Sequence, residues 1–275
     1  MYILGLVFSG GKARAALYTE DYNLVALRED GLTNSSAEEL IKALLDSKGV
    51  SSCEVKYIGV AVDASFDVAD VKAKLEKAMA TDIFVVDIIS ARALGEAYLS
   101  GDIKSLVMLN MGDELESAIV IDKKLYVGSK AGGGKLAHMV IDANGYECSC
   151  GLKGCFEAYV SNNGVKNIAR EAGMSDWQSI TVSSLFDMND DLAKKAQERY
   201  IQYLSAGITN IINFFQPEEL VVDGNFFAVG DALVAPTMDI ILKEQYTKFC
   251  PDQCHVRAAI DSLDTSLMGA VLINR

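Results

Sequence analysis

Over Tyr2 to Phe8 apolar residues form a strand-like run, and Ser9-Gly10-Gly11 interrupts it with turn formers. Ala13 to Tyr18 and Asn23 to Arg28 resume the pattern, which predicts an antiparallel meander at the start of the chain. The period then lengthens. Ser36, followed three residues on by Glu39, has the spacing of a capping box ahead of a helix that runs through Leu45. Tyr57 to Val62 reads as a strand, Val68 to Met79 as a helix, Ile83 to Val86 as a short buried strand and Ser90 to Leu99 as a helix. Strands alternating with helices predict a partly parallel sheet.

A second meander follows in Leu106 to Leu109, Ser117 to Ile121 and Lys124 to Val127, the last two joined by Asp122-Lys123. Beyond a cysteine-rich segment, helices are expected near Phe156 to Ser161, Gly164 to Ala172, Asp191 to Phe215 and Ala232 to Lys243. The strand Glu219 to Val222 separates the last two, and Val256 to Ala259 and a small-residue helix, Leu267 to Ile273, close the chain. Two βββαβαβα-like halves, with no Pro-rich linker between them, predict an α/β fold of two related lobes around a cleft. The expected N-terminal lobe is 1–105, completed by a C-terminal helix at 260–275, and the C-terminal lobe is 106–259; 275 residues suffice for both.

Composition narrows the function. Lys and Arg total 25 against 38 Asp and Glu, a formal charge of −13 with a pI near 4.6. A field of that sign repels phosphate backbones, so no direct nucleic-acid partner is expected. Half of the residues are hydrophobic, yet no uncharged apolar run approaches the roughly 18 residues of a membrane helix, and the first residues lack the layout of a signal peptide. A cytoplasmic protein with no membrane contact is expected. Thiols stay reduced there, so the six cysteines are candidates for metal ligation or packing rather than for disulfides.

Their spacing separates them. His138, Cys148, Cys150 and Cys155 fall within 18 positions. Zinc prefers four tetrahedral S and N donors, so a Cys3His set with no position left over would be a structural site, and Gly145, Gly151 and Gly154 let the loop wrap tightly. Buried free cysteines and a core histidine are the alternative. Cys250-Pro-Asp-Gln-Cys254-His255 also holds ligand types, but three donors in six residues do not easily converge on one ion. Packing is the simpler role there, as it is for Cys53.

The run from Cys148 to Ser161, CSCGLKGCFEAYVS, preceded by Gly134-Lys-Leu-Ala-His138, closely resembles the signature of the ROK family of bacterial sugar kinases, sugar-responsive repressors and uncharacterised relatives. Similarity also covers ALGEAYLSGD at 93–102, AIVIDKKLYVGSKAG at 118–132, AGITNIINFFQPEELVVDG at 206–224 and SLMGAVL near the end. The resemblance implies a two-lobed actin-like, ribonuclease H-like sugar-kinase fold with an interlobe cleft, zinc on His138, Cys148, Cys150 and Cys155, and a homodimer. Repressors of the family carry an N-terminal winged helix. This chain opens on the first kinase-lobe strand, so transcriptional regulation is expected only with a separate DNA-binding partner.

The resemblance also implies where phosphotransfer would need its base, its phosphate cradles and Mg-ATP. The family base, the Asp of an Asn-Asp-x-Asn element, falls on Ile88; Asp87, at the preceding Asn, is the candidate substitute but lies on the other strand face. The first phosphate loop reads Ser9-Gly10-Gly11-Lys12 without the family's Asp, leaving Gly10, Gly11 and Lys12 as candidate nucleotide contacts. The second, glycine-rich in kinases, corresponds to Asn110 to Ser117, where Gly112 is followed by Asp113, Glu114 and Glu116, carboxylates that repel a polyanion. At the adenosine element Gly224 precedes Asn225-Phe226-Phe227, whose side chains would crowd a purine.

In the implied sugar pocket Lys135 replaces a family Glu, whereas His138 and Glu157 match residues that contact sugar hydroxyls. Glu157 is equally a carboxylate favoured by a helix N-terminus, and Lys135 a partner for it. A family loop with a Pro-Gly turn is shortened to Val62-Asp63-Ala64-Ser65-Phe66. The expected function is that of a zinc-stabilised pseudokinase that binds a small sugar-like ligand or a protein partner. The alternative is an active ATP-dependent hexose or amino-sugar kinase working through Asp87.

Overall fold

The computed structural model of the chain describes residues 1–31, 37–130, 132–244, 254–260 and 262–275. Strands β1 (Tyr2–Ser9), β2 (Lys12–Thr19) and β3 (Leu24–Gly31) form the first meander; α1 (Ala37–Asp46), β4 (Val55–Val62), α2 (Val68–Ala78), β5 (Asp82–Asp87) and α3 (Ile88–Leu99) follow. The sheet order is β3-β2-β1-β4-β5, with β4 parallel to β1 and to β5. Nearly every residue of β1 and β4 is buried, which is why both segments read as continuous apolar runs rather than as alternation. Leu40, Ile41, Leu44 and Leu45 form the buried stripe of α1 on the same core as Leu4, Leu6, Ile58 and Val60. The Ser36 cap expected for α1 lies outside the described residues.

The second set comprises β6 (Leu106–Met111), β7 (Leu115–Ile121), β8 (Lys124–Leu125), α4 (Glu157–Val160), α5 (Asn162–Ala172), α6 (Val182–Asp187), α7 (Asp191–Phe215), β9 (Glu219–Gly224), α8 (Asn225–Val229), α9 (Asp231–Glu244), β10 (His255–Ala258) and α10 (Ser262–Leu272). Its sheet, β10-β9-β6-β7-β8, repeats the first: a three-stranded meander with two parallel strands added beside its first member. The fold is thus mixed α/β with two like-ordered five-stranded sheets. Helices α6 and α8 were not expected, because six and five residues give a 3.6-residue period too little room to show.

The chain divides into two units, Met1–Lys104 with Ile119–Tyr126 and Ile260–Arg275, and Ser105–Ala118 with Val127–Ala259. Among the described residues no helix is long and apolar enough to cross a membrane. In the first unit, Asp102 gathers three distant segments: its carboxylate accepts from Lys123 Nζ at 2.5 Å and Arg275 Nη2 at 2.9 Å, and the Arg275 guanidinium lies 5.5 Å from the Tyr98 ring centre. The Arg275 hydrogen bond, and then that of Lys123, hold the Asp102 carboxyl well below its ordinary range.

A carboxyl whose pKa is lowered on folding stabilises the fold above its unfolded value and loses that contribution as pH falls towards the folded value. These side chains are about one-third exposed, so solvent screening limits the whole group to roughly 1 kcal/mol. Asp102→Asn is expected to lower Tm by about 2–4 °C at pH 7. Scanning calorimetry should show a constant gap to wild type from pH 7 to about pH 5 and a gap that shrinks as pH falls below about 4, the range of an unfolded carboxyl; a gap that widens towards acid would contradict the role of the charge.

Candidate functional site

The cysteine-rich segment folds back on itself. Val140 pairs with Cys155 and Glu147 with Lys153, both antiparallel. Cys148 N donates to Leu152 O at 2.8 Å, Gly151 N to Cys148 O at 3.0 Å, and Gly154 N to Tyr146 O at 2.7 Å. Gly154 has φ +71°, and a Cβ there would stand 1.6 Å from Asp142 O, so the loop closes only around a glycine. His138 arrives at the end of a single 3-10 turn, Leu136–His138.

The outcome is one cluster: the donor atoms of His138, Cys148, Cys150 and Cys155 all lie within 4.8 Å of one another. Cys148 Sγ is 3.6 Å from His138 Nδ1, and Cys150 Sγ is 3.7 Å from Cys155 Sγ. A tetrahedral ion with bonds near 2.0–2.3 Å places its N and S donors about 3.5–3.8 Å apart, so the four residues fit a metal ion. Cys148 and Cys155 are buried and Cys150 is exposed. Burial pushes the Cys155 thiol up to about 12, while the Leu152 N–H draws that of Cys150 down.

A layer that the sequence did not announce holds this loop. Tyr159 Oη and Tyr203 Oη both donate to Asp142 Oδ2, at 3.2 and 3.3 Å, and their rings stack at 3.9 Å. Tyr146 donates to Glu171, which also binds Arg199 Nη1 at 2.9 Å. These residues are scattered from 142 to 203, so no spacing could have collected them.

The other cysteines differ. Cys254 is half-buried, its thiol raised to about 12 by burial, and exposed His255 faces Glu219 at 3.8 Å; Cys250 lies outside the described residues. Cys53 does not pack as expected: it is exposed, with Sγ 3.2 Å from Ser51 Oγ.

Glu157 opens α4 beside the cluster. Its Oε2 accepts Leu115 N at 3.2 Å and its Oε1 accepts Ser149 Oγ at 3.2 Å. Lys135 is exposed and, contrary to the expectation, makes no ion pair with Glu157 among the described residues. Next to Glu157 a recess of about 110 Å³ is lined by Asp113, Glu114, Glu147, Ser149 and Asn163, a wall whose carboxylates disfavour phosphate.

The expected kinase elements are placed as follows. Asp87 ends β5 and caps α3, its carboxylate accepting Ser90 N at 2.8 Å. The helix starts at Ile88, two residues before the expected Ser90, so Asp87 is the last, extended residue of β5 (ψ 156°) and Ile88 the first of α3. Gly10 and Gly11, with φ +59° and +73°, form the β1–β2 turn, and Lys12 Nζ is held by Glu29 at 2.6 Å.

The segment Asn110 to Ser117 is mostly strand. Its turn is only 112–114, closed by Gly112 N donating to Glu114 O at 3.1 Å, and Glu116 sits in β7, accepting Asn110 Nδ2 at 2.8 Å. Two carboxylates, not three, therefore project from the turn region. Gly224 has φ +77°, and a Cβ there would meet Met111 O at 2.2 Å. Phe226, expected to crowd a purine, is instead fully buried in the core, with Phe227 edge-on against it at 4.9 Å.

Comparison with known proteins brings in both kinases and regulators. The chain is 28% identical to the xylose repressor of Bacillus subtilis over 156 residues, 56% of this chain and 40% of that protein. It is 27% identical over 220 residues to the glucokinase of Halalkalibacterium halodurans, 74% of this chain and 67% of that one. The chain thus spans well under half of the repressor and about two-thirds of the kinase. In structure it is similar to the ROK hexokinase of Thermus thermophilus, with a TM-score of 0.77 at 20% identity over 99% of this chain and 97% of that one. Residues 18–275 match the ROK family model, and with the paired sheets and the Cys3His loop in place the chain belongs to the ROK family.

Proposed function

We propose that this chain is a sugar-binding member of the family in which phosphotransfer is lost or severely impaired, stabilised by a zinc ion on His138, Cys148, Cys150 and Cys155. The reading of loss rests on the start of α3: Ile88 falls where the resemblance puts the base, and the neighbouring Asp87 carboxylate is engaged as the helix cap. Isoleucine takes no proton, and the Asp87 carboxylate is occupied by the Ser90 amide at the helix start. Lys12 is ion-paired with Glu29, a carboxylate it shares with Arg14, and the turn at 112–114 offers Asp113 and Glu114 in place of bare glycine amides. A sugar-like ligand is supported by the names of the relatives, which are sugar kinases and a xylose repressor. Zinc is supported by the donor set, since three thiolates and an imidazole are soft to borderline ligands that suit it. Bound there, the ion supplies a structural cross-link; with four protein donors it leaves no position for a reacting group.

A coupled ADP-release assay over hexoses and N-acetylhexosamines tests the main reading, with turnover expected below about 1 s⁻¹, the floor of the ordinary enzyme range. Faster turnover with any of these sugars would restore the active-kinase reading, in which Asp87 serves as base. Exposed Lys135, without an ion-pair partner among the described residues, favours a ligand that carries an acidic group. Calorimetry is accordingly expected to give tighter binding for a hexuronic acid than for the parent hexose.

A further inference from the structure

The β1–β2 turn is held by a carboxylate from a neighbouring strand. Gly10 N donates to Asp63 Oδ2 at 3.0 Å, across 53 residues of chain. The other oxygen, Oδ1, accepts Ser65 N at 3.0 Å and the Ser65 hydroxyl. The sheet dictates this meeting. β1 and β4 run parallel with Phe8 opposite Val62, so Ser9 and Asp63 leave the sheet side by side, and Asp63 N donates to Phe8 O at 3.0 Å. Desolvation raises the Asp63 pKa, but hydrogen bonds from Ser65, Gly10 and Ser9 outweigh it and keep the carboxyl below its ordinary value.

Main-chain N–H groups at glycine turns are what phosphate loops offer to an anion. In this chain the Gly10 N–H already serves an anion, and a fixed negative charge remains beside the turn. A phosphate approaching the turn would have to displace that charge or lie against it. The 62–66 segment makes the contact, its Ser65 closing on the same carboxylate that holds Gly10.

We infer that Asp63 is a specificity-determining residue that occupies the Gly10 amide and turns phosphate-bearing ligands away from the β1–β2 turn. This rests on the reading of impaired phosphotransfer and supplies a physical cause for it. The test is a titration of the full-length, ¹⁵N-labelled protein with pyrophosphate, following the Gly10 amide resonance in wild type, Asp63→Ala and Asp63→Asn. In wild type the resonance is expected not to move. In Asp63→Ala it should shift along a saturable curve with at least a tenfold gain in affinity, and in Asp63→Asn, which keeps an acceptor oxygen but not the charge, by at least threefold.

Pyrophosphate moving Gly10 equally in wild type, or no gain in a folded variant, would overturn the inference. Circular dichroism reports whether each variant is folded, and Asp63→Asn decides if Asp63→Ala is not. ADP release by wild type is a separate readout. Turnover there would defeat the functional reading whatever Gly10 does, and an unresponsive Gly10 in Asp63→Ala would defeat the role of Asp63 even with turnover absent.

Discussion

Cys155→Ser is expected to lower Tm by more than about 10 °C and to abolish stoichiometric zinc, and chelation of the wild type should approach the same end point. Cys155 is fully buried, and its sulfur lies 3.7 Å from that of Cys150. Two thiolates at that distance repel by about 4–5 kcal/mol at an effective dielectric near 20, so the four-donor arrangement is stable in its deprotonated form only with a cation at its centre. Beside the ion, two isolated antiparallel bridges, a few main-chain hydrogen bonds and the contacts of Asp142 with Tyr159 and Tyr203 hold the loop, none of which offsets the repulsion between the sulfurs. Structural zinc sites contribute on the order of 10 kcal/mol in small domains, and part of that should appear here as folding stability.

The half-buried Cys254 provides the control, because a thiol-to-hydroxyl change there breaks no cluster; a shift of only a few degrees is expected. Elemental analysis gives the second readout, close to one zinc per chain in wild type and in Cys254→Ser. Metal-free wild type of unchanged Tm would remove the basis for zinc as a structural element of this fold.

The metal loop was legible because its signal is local: four ligand types in 18 positions, with glycines at the bends. Helix α7 was legible for a related reason. Its period persists over 25 residues, between Asp190, which caps it, and Gln216-Pro217, which ends it. Where periods meet, the sequence was ambiguous. Asp82–Asp87 passes directly into Ile88–Leu99, and nothing in the residues marks where a two-residue period becomes a 3.6-residue one, so the helix expected from Ser90 begins two residues earlier.

Asn110 to Ser117 was misread for the opposite reason. The resemblance matched it to a glycine-rich loop, whereas Asn110 and Glu116 are strand residues bonded to each other across the hairpin. Contacts made by chain reversal left no trace at all. Asp63 meets Gly10, and Asp142 meets Tyr203, only because particular strands and helices become neighbours.

The expected effect of Gly269→Val is larger still, although the residue touches no site. Helix α10 packs on α3 and on β1 and β4 with its main chain almost in contact with theirs. A Cβ at Gly269 would stand 1.6 Å from Ala91 O, one at Gly59 1.7 Å from Ala270 O, and one at Gly95 1.9 Å from Thr265 O. Each of these atoms is backbone, so no side chain can swing aside; the helix itself would have to retreat, and the buried Ala270, Val271 and Leu272 with it.

Gly269→Val is therefore expected to cost about 4 kcal/mol or more and to leave most of the protein insoluble, with Gly269→Ala retained but severely destabilised. Gly132→Ala, where nothing lies within 4 Å of the added carbon, should leave Tm within about 1 °C of wild type. Soluble yield and calorimetric Tm of Gly269→Ala beside Gly132→Ala decide this; equal Tm values would show that α10 can retreat from α3 at no cost.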